Sequence, residues 1–361
     1  MSLGVLVRGS LFVFRPPPRE KAHRLFSEPS LREKVKPSSV EWLPYAIRFT
    51  QAIRFTQYAT MEHRSHASAH DDALQHVTLL GTGTAGASLA LAWKAARPEL
   101  VVTGLDEPEA LERAEEHGVI DRKAASLDAA AAGADLVVLA ERLPVALRRL
   151  EALAPHLPDG ALVTDTGAAK QPIARHAAEV LPERASFVGG HPIASSERRG
   201  ETEPEATRFD GGTYLLCPGE EASREAALAT QQLREHHPGF LALAEATGAR
   251  VQVRSPAHHD RLCAAARDLP ELLAAPLTDV ISEAAEDAGD HETLLALTDP
   301  ALRPLVWGRQ APSAERREEL VAGEGSLLDA LGRYVRALQQ TRRHLATGDL
   351  DAALSLGDGG S

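Results

Sequence analysis

His191 is the residue best placed to do chemistry, because it stands between two glycines and a proline in the segment Val188–Gly200. Gly189 and Gly190 allow the backbone to approach a ligand closely. Pro192 restricts the backbone directly after the ring. A neutral imidazole with a pKa of about 6.5 can accept a proton, so the segment predicts a general base. A loop histidine whose ring is satisfied by backbone partners is the alternative interpretation.

A glycine-rich turn, GTGTAG at Gly81–Gly86, is the second candidate site. It lies between an apolar strand that begins at His76 and a helix with an apolar face. The first glycine permits a tight turn, the second lets the backbone approach a pyrophosphate, and the third lets the helix pack on the strand. The phosphates would bind at the helix N-terminus. We therefore predict a dinucleotide site made by Gly81, Thr82, Gly83, Thr84, Ala85 and Gly86, with Ala140 from a later strand.

An acidic residue, Asp106, ends the second predicted strand and stands 20 residues after the last glycine of the turn. An acid at this position binds the hydroxyls of the adenosine ribose. A carboxylate repels a 2′-phosphate, Glu107 follows it, and no arginine stands beside it. The pattern predicts NAD rather than NADP, and the alternative is a domain of the same fold that binds no nucleotide.

The elements that must position these residues alternate between strands and helices. Further strands are predicted at Ala134–Ala140, Gly160–Asp165 and Arg250–Val253. Strands that alternate with helices indicate an α/β fold with a doubly wound parallel sheet of the Rossmann type. We predict that this dinucleotide-binding domain spans residues 76–256.

After residue 256 the alternation stops, and the sequence predicts an all-α domain over residues 257–350. Apolar residues recur at helical spacing near its end, at Leu327, Leu331, Val335 and Leu338. Pro276 and Pro300 are expected to interrupt the helices. A helical half of this length cannot bury all its apolar faces alone, so we predict a substrate and dimerisation domain and a homodimer.

Composition and charge limit the classes of function. The chain of 361 residues is 43% hydrophobic, which suffices for a folded core in two domains. Residues 61–361 carry 29 Lys+Arg against 47 Asp+Glu, and this acidic body disfavours nucleic acid and anionic membranes. No apolar run approaches the roughly 20 residues of a membrane helix.

The cysteines and the other histidines predict neither disulfides nor a metal. Cys217 and Cys263 lack a Cys-x-x-Cys spacing, which indicates a reducing, cytoplasmic compartment without structural zinc. His258, His259 and Asp260 are adjacent, but they lack the i, i+4 spacing of a helical zinc site.

Residues 1–60 differ from the rest of the chain. They hold eight of the 15 aromatic residues and carry ten Lys+Arg against four Asp+Glu. The hexapeptide AIRFTQ occurs twice in tandem, from Ala46 to Gln57. We predict that this segment is mis-assigned or disordered and that translation starts at Met61. An organellar targeting peptide and a secretory signal are the alternatives.

The chain resembles the prephenate/arogenate dehydrogenase family over most of residues 76–345. The resemblance rests on six segments: GTGTAG at Gly81–Gly86, GLDEPEALERAEEHGVID at Gly104–Asp121, TDTGAAK at Thr164–Lys170, GGHPIASSE at Gly189–Glu197, HDRLCAAARDLPELLAA at His259–Ala275 and TDP at Thr298–Pro300. The GGHP segment, at this distance after the D-x-G-x-x-K segment, is the specific part. The resemblance implies a Rossmann-type domain, a helical domain that dimerises, and NAD-dependent oxidative decarboxylation of prephenate or arogenate toward tyrosine. It also implies that His191 is the catalytic base.

The sequence departs from the family pattern where the substrate should bind. Ala168 replaces a serine that lies beside the family's histidine, and Ser195 replaces a glycine. Asp268 and Glu271 replace two histidines, and Leu294 replaces an arginine that grips a substrate carboxylate. Residues that could contact the substrate instead are Ser195, Ser196, Arg267, Asp268 and Glu271, with Arg198 and Arg199 as further candidates. The simpler interpretation of Arg267 is an i, i+4 surface ion pair with Glu271.

Three functions therefore stay open. The resemblance favours a dehydrogenase that acts through His191 on a small molecule in aromatic amino acid biosynthesis. A diverged relative that acts on another hydroxy acid is the second, and a catalytically impaired module that binds NAD for regulation is the third. The lost anchors predict slow turnover of prephenate. Arogenate should be less disfavoured, because Asp268 or Glu271 could pair with its ammonium group.

Overall fold

The structure is a computed structural model that describes residues 3–7, 10–14, 74–195, 202–219, 226–300, 303 and 312–355. The chain divides into two compact units, Met1–Ser68 and Ala69–Ser361. In the first unit, β1 (Leu3–Val7) pairs with β2 (Ser10–Phe14) in an antiparallel hairpin. Most of residues 1–60 lie outside the described part, so the origin assigned to this segment stays a prediction.

The second unit contains an eight-stranded sheet. Its strands along the chain are β3 (His76–Leu80), β4 (Val101–Leu105), β5 (Arg122–Lys123), β6 (Leu136–Leu139), β7 (Leu162–Asp165), β8 (Ser186–Ile193), β9 (Thr213–Cys217) and β10 (Arg250–Val253). The order across the sheet is β10-β9-β8-β7-β6-β3-β4-β5. The predicted Rossmann-type strands are confirmed. Strands β3 to β5 extend the sheet in one direction, and from β6 onward the strands extend it in the other.

The sheet is not wholly parallel, because β8 and β9 pair antiparallel with Gly190 opposite Leu216. An antiparallel pair needs no crossover helix. The described residues between these two strands accordingly contain no helix. The sequence did not predict β8 or β9, so this reversal is a finding of the structure.

Helices cover both faces of the sheet. They are α1 (Thr84–Ala96), α2 (Pro108–Glu116), α3 (Leu127–Ala131), α4 (Leu143–Leu153), α5 (Gln171–Val180), α6 (Ala226–His236) and α7 (Pro238–Ala246). Alternate residues of β6 point to opposite faces, so Leu136 and Val138 join one core while Val137 and Leu139 join the other. Burial on both faces explains why the central strands are continuous apolar runs.

The remaining described residues are helical. They form α8 (Pro256–Cys263), a π-helical turn (Ala264–Asp268), α9 (Leu269–Ala288), α10 (His291–Leu297), α11 (Ala314–Ala322), α12 (Glu324–Ala346) and α13 (Leu350–Leu354). The expectation that Pro276 interrupts a helix is wrong, because α9 continues through it. Proline removes a single backbone hydrogen bond, and a 20-residue helix with buried positions on either side tolerates that loss.

The predicted apolar stripe of α12 is mostly uncovered within one chain. Leu327 is buried, whereas Val335 and Leu338 are 42% and 49% exposed. No helix among the described residues has the length and apolar character to cross a membrane.

Candidate active site

The three glycines of the turn between β3 and α1 have different tasks. Gly81 has a φ of +90°, and a Cβ there would lie 2.7 Å from the Cγ of Glu141. A Cβ on Gly86 would lie 2.6 Å from the Cβ of Ala140. At Gly83 a Cβ would meet no atom within 4 Å. The outer glycines therefore serve the turn and its packing, and the middle one faces open space at the start of α1, where a phosphate needs room.

The end of β4 is tied to the same turn through Asp106. One carboxylate oxygen accepts hydrogen bonds from the backbone N–H and the hydroxyl of Thr82, at 2.7 and 2.8 Å. The other oxygen accepts from the N–H of Glu107 at 2.8 Å. These bonds fix the carboxylate at the carboxyl edge of the sheet, which is where dinucleotides bind in this type of fold.

A second carboxylate, Glu141, lies beside the turn. Its side chain is 13% exposed and faces Arg149 at 3.4 Å. Burial raises the pKa of Glu141; Arg149 opposes this shift and the nearby charge of Asp106 adds to it. The sequence did not single out Glu141, because only the packing of β6 against the glycine turn brings it there. The cleft at this end is therefore more acidic than Asp106 alone makes it.

Thr84, predicted to contact the cofactor, also bonds within the protein. Its hydroxyl donates to the carbonyl oxygen of Thr202 at 2.7 Å. Farther along α1, the hydroxyl of Ser88 accepts from the N–H of Glu205 at 3.1 Å. The segment before β9 thus lies against the first turns of α1.

A buried ion pair supports the strand that carries His191. Lys170 is wholly buried and donates from Nζ to Asp165, which ends β7. The same Nζ donates to the carbonyl oxygen of Gly190 at 2.7 Å, and Asp165 accepts from the N–H of Gly190 at 3.1 Å. A Cβ on Gly190 would lie 2.5 Å from the carbonyl oxygen of Asp165. Glycine is therefore required at Gly190 so that β8 can pass over the pair.

His191 itself lies in β8 and not in a loop, which corrects the loop expected from the sequence. Its Nδ1 lies 2.9 Å from Nε2 of His259 on α8. Nδ1 of His259 lies 2.8 Å from a carboxylate oxygen of Asp260. The Asp260 carboxylate also accepts the backbone N–H groups of Lys170 and Gln171, at 2.8 and 2.9 Å. The three side chains form a continuous chain from the start of α5 to the ring of His191.

The partners assign the protons in this chain. A carboxylate can only accept, so His259 donates to Asp260 through Nδ1–H. Nε2 of a neutral His259 is then an acceptor, and His191 donates to it through Nδ1–H. Nε2 of His191 is left without a proton. The arrangement presents the lone pair of Nε2 as a base, with the tautomer fixed by the second ring nitrogen.

The same surroundings keep both rings neutral. Burial holds the pKa of His191 well below its usual range, and His259, Lys170 and Arg267 lower it further. Burial also lowers the pKa of His259, although the hydrogen bond to Asp260 opposes this shift. Burial works against the charge of Asp260, but its hydrogen bonds outweigh burial and lower its pKa.

Cys263 adds a sulfur to the group. Its Sγ lies 3.6 Å from Nε2 of His259, and ligating atoms of His191, His259 and Cys263 lie within 4.8 Å of one another. Such a group could hold a metal in principle. However, the 2.9 Å between Nδ1 of His191 and Nε2 of His259 is a hydrogen-bond distance. Burial also raises the pKa of the Cys263 thiol to about 11. We interpret the group as a hydrogen-bonded chain.

A cluster of ion pairs lies around Asp268 and Glu271, farther along the chain than Cys263. Arg316 on α11 donates to Asp268 at 2.6 Å, to Glu271 at 2.8 Å and to Glu319 at 2.9 Å. Arg267 donates to Asp268 at 2.8 Å and lies 3.5 Å from Glu319. The expected ion pair between Arg267 and Glu271 is wrong, because Arg316 binds Glu271. Asp268 and Glu271 were expected to repel an anionic substrate, but Arg316 compensates their negative charges. The sequence analysis did not single out Arg316.

Comparisons with known proteins show which proteins this chain resembles. The family described as the nucleotide-binding domain of prephenate dehydrogenase matches residues 89–237. The prephenate dehydrogenase of Bacillus subtilis (strain 168) is 27% identical over 277 residues, which cover 76% of this chain and 71% of the relative. The chain is thus similar to prephenate dehydrogenases in sequence.

Solved structures share the fold of this chain. The arogenate dehydrogenase of Synechocystis has a TM-score of 0.63 at 23% identity, over 79% of this chain and 96% of that one. The prephenate dehydrogenase of A. aeolicus, solved with hydroxyphenyl propionate and NAD+, has a TM-score of 0.60 at 20% identity, over 78% of this chain and 94% of that one. Both comparisons confirm the Rossmann-type sheet with a helical C-terminal region.

The structure brings only some of the remaining predicted substrate residues near the site. Ser195 lies two residues after the end of β8 and is half-buried. Ser196, Arg198 and Arg199 lie outside the described residues. Leu294 lines an apolar cleft on α9 and α10 together with Ile281 and Leu297. Within one chain, Leu294 therefore belongs to the surface of the helical half.

The sequence missed three residues of the site. His259 and Asp260 were considered only as metal ligands, and Arg316 was not considered. A signal for the first pair did exist. His259, Cys263 and Arg267 recur every four residues, which places them along one side of a helix. Nothing in the sequence indicated that this side would face His191.

Proposed function

We propose that the protein is an NAD-dependent dehydrogenase that oxidises and decarboxylates a hydroxy acid of the prephenate or arogenate type, on the way to tyrosine. The observation that carries the proposal is the hydrogen-bonded chain from Nδ1 of His191 through His259 to Asp260. This chain leaves Nε2 of His191 free to act as the base. A base at this atom can take the proton from the ring hydroxyl as the carbinol carbon is oxidised. Loss of carbon dioxide is then driven by aromatisation, so the protein supplies mainly position and one base.

NAD fits the residues of the turn. Gly83 leaves room for the pyrophosphate, and Asp106 offers a carboxylate to the adenosine ribose. Glu141 adds a second carboxylate close to Asp106, which strengthens the expected rejection of a 2′-phosphate. When bound, NAD accepts the hydride. Titration should give tighter binding of NAD than of NADP, and the reverse order would contradict this assignment.

The experiment on the base is the substitution His191→Asn. It should abolish turnover while the affinity for NAD is unchanged, because the ring is supported by β8 and not by the glycine turn. His258→Asn is the matched control, since His258 is adjacent to His259 but outside the chain of three. Normal turnover by His191→Asn would reject His191 as the base. Turnover lost equally in both variants would point to damage to α8.

The substrate assignment rests on the ion cluster. Asp268, Glu271 and Glu319 together exceed Arg267 and Arg316 by one negative charge. Arg267 is close enough to influence His191. A dianionic substrate must compete with these carboxylates for the arginines, whereas an ammonium group could pair with one of them. We therefore expect arogenate to have the lower KM, and prephenate with an ordinary KM and arogenate with a higher one would overturn this preference.

The second candidate function follows from the same cluster. Since both arginines are already bound by carboxylates, the protein could act on a less anionic hydroxy acid or bind NAD without turnover. Growth of a tyrosine-requiring strain on this gene distinguishes these possibilities. Rescue supports the dehydrogenase, and failure with normal NAD binding supports the alternatives.

We also propose a homodimer formed by the helical half, in the cytoplasm. Four apolar residues of α12 are each 42% to 57% exposed: Leu328, Val335, Leu338 and Leu345. Apolar side chains in a row on one helix are typical of an interface. Light scattering should give twice the chain mass, and Val335→Lys combined with Leu338→Lys should give the single chain. A wild-type protein that is monomeric at micromolar concentration would contradict the dimer.

A further inference from the structure

Asp260 and His259 connect His191 to the interior of the protein. The chain begins at the N-terminus of α5, where Asp260 accepts the N–H groups of Lys170 and Gln171. It continues through His259, which is buried, and ends at Nδ1 of His191. The inference drawn from it rests on the proposed function, in which Nε2 of His191 removes a proton from the substrate.

Only one direction of donation satisfies every atom in this chain. If Nε2 of His259 carried the proton, its bare Nδ1 would face the Asp260 oxygen at 2.8 Å, and two acceptors would oppose each other. Protonating Asp260 could relieve that contact. However, two backbone N–H groups and His259 stabilise the ionised form and lower the pKa of this carboxyl group. The described donors therefore fix both histidines with Nδ1–H.

If His191 kept the proton that it accepts, its ring would be a cation in unfavourable surroundings. The ring is partly buried, and the charges that influence it are Lys170 and Arg267, both positive. His259 is also buried, but it contacts the Asp260 carboxylate and is influenced by Asp165 as well as by Lys170. Cys263 contributes no charge while its thiol is protonated. The negative groups thus surround the second ring and not the first.

We propose that the substrate proton is held on His259 and not on His191. As the substrate O–H bond breaks, its proton binds Nε2 of His191, and the Nδ1 proton of His191 moves to Nε2 of His259. The result is a neutral His191 and a cationic His259 that donates to Asp260. Electron pairs balance, because each nitrogen that gains a proton offers the lone pair that the preceding step left free. His259 and Asp260 touch neither substrate nor cofactor, so they are positioning residues.

In the present chain, Ala168 leaves this role to His259. The family pattern places a serine beside the histidine, and alanine offers no hydrogen bond there. Among the described residues, His259 is the side chain that bonds to the ring of His191. The second histidine therefore supplies the fixed tautomer that a serine hydroxyl could otherwise support.

The first test is spectroscopic and needs neither cofactor nor substrate. Protein labelled with ¹⁵N-histidine should show protonated Nδ1 and bare Nε2 on both His191 and His259 at neutral pH. A coupling across the N–H···N bond should connect the two rings. Asp260→Asn should reverse both tautomers, because a carboxamide can donate to Nδ1 of His259. Protonated Nε2 on His191 in the wild type would overturn the proposal.

The second test is a proton inventory in mixtures of light and heavy water, measured in single turnovers with arogenate. The wild type should show two protons in flight, and His259→Gln should show one. Glutamine keeps an acceptor for His191 but cannot carry the proton, so the rate should fall roughly 10- to 100-fold while the KM for NAD is unchanged. His258→Gln, the matched control, should behave as the wild type.

The outcomes separate the two proposals. If His191→Asn keeps normal turnover, the proposed function fails whatever the ring protonation. If His191→Asn is inactive while His259→Gln is fully active, or the wild-type inventory is linear, only the transfer to His259 fails. Asp260→Asn also removes a carboxylate from the start of α5, so loss of folding there leaves His259→Gln to decide.

Discussion

Replacing Lys170 with methionine should destabilise the protein strongly. Methionine keeps most of the aliphatic stem but removes the charge that faces Asp165 and the bond to the Gly190 carbonyl. The side chains of Lys170 and Asp165 are 0% and 2% exposed, so water cannot replace the lost ammonium group. Breaking a buried pair by removing one partner costs about 3–5 kcal/mol. At about 2–4 °C per kcal/mol, Tm should fall by on the order of 10 °C.

The matched control is Lys123→Met. Lys123 also pairs with a carboxylate, Glu115 at 2.7 Å, but the lysine side chain is 36% exposed. Its substitution should leave Tm nearly unchanged, because exposed pairs contribute little. Calorimetry of both variants at one protein concentration gives the comparison. A Lys170→Met protein as stable as Lys123→Met would refute the claim that Asp165 depends on a buried counter-charge. Adding Asp165→Asn to Lys170→Met should recover part of the loss.

Three other perturbations test different parts of the site. Because the pKa of His191 lies well below 6.5, the base is neutral above that pH. The hydride-transfer rate in stopped flow should therefore be flat from pH 6.5 upward and fall only on further acidification; an acid limb centred above 6.5 would count against it. Gly83→Ala should keep Tm but weaken NAD binding about tenfold, or 1.4 kcal/mol, whereas Gly86→Val should lower Tm in calorimetry, since its Cβ would lie 2.6 Å from Ala140. Asp268→Asn with Glu271→Gln should release Arg316 and lower the KM for prephenate about tenfold in steady-state assays, and an unchanged KM would place the cluster outside the substrate site.

The cofactor half could be predicted from the sequence because its signals are local. The order of strand, glycine turn and helix is set by neighbours in the chain, and Gly81, Gly83 and Gly86 occupy one continuous turn. Asp106 follows its strand by the same local logic. The antiparallel pairing of β8 and β9 was not predicted, because contacts across the sheet decide which strands pair and in which direction.

The substrate half could not be predicted in the same way. Glu271 bonds to Arg316, 45 residues away in the chain, and Lys170 bonds through its backbone to Asp260, 90 residues away. A spacing rule within one helix therefore assigned Arg267 the wrong partner. His259 was visible as a residue type, but its role depends on how α8 packs against β8, which no local pattern encodes.

The burial of Lys170 has a practical consequence for labelling. Beyond residue 60 the sequence contains three lysines, Lys94, Lys123 and Lys170. The side chains of Lys94 and Lys123 are 21% and 36% exposed, so an amine-reactive reagent can reach them in the folded protein. The side chain of Lys170 is 0% exposed, so it can react only when its surroundings open to solvent. Acylation of this single amine, followed by mass spectrometry of an arginine-specific digest, thus measures how often the buried pair beneath the strand of His191 opens to solvent.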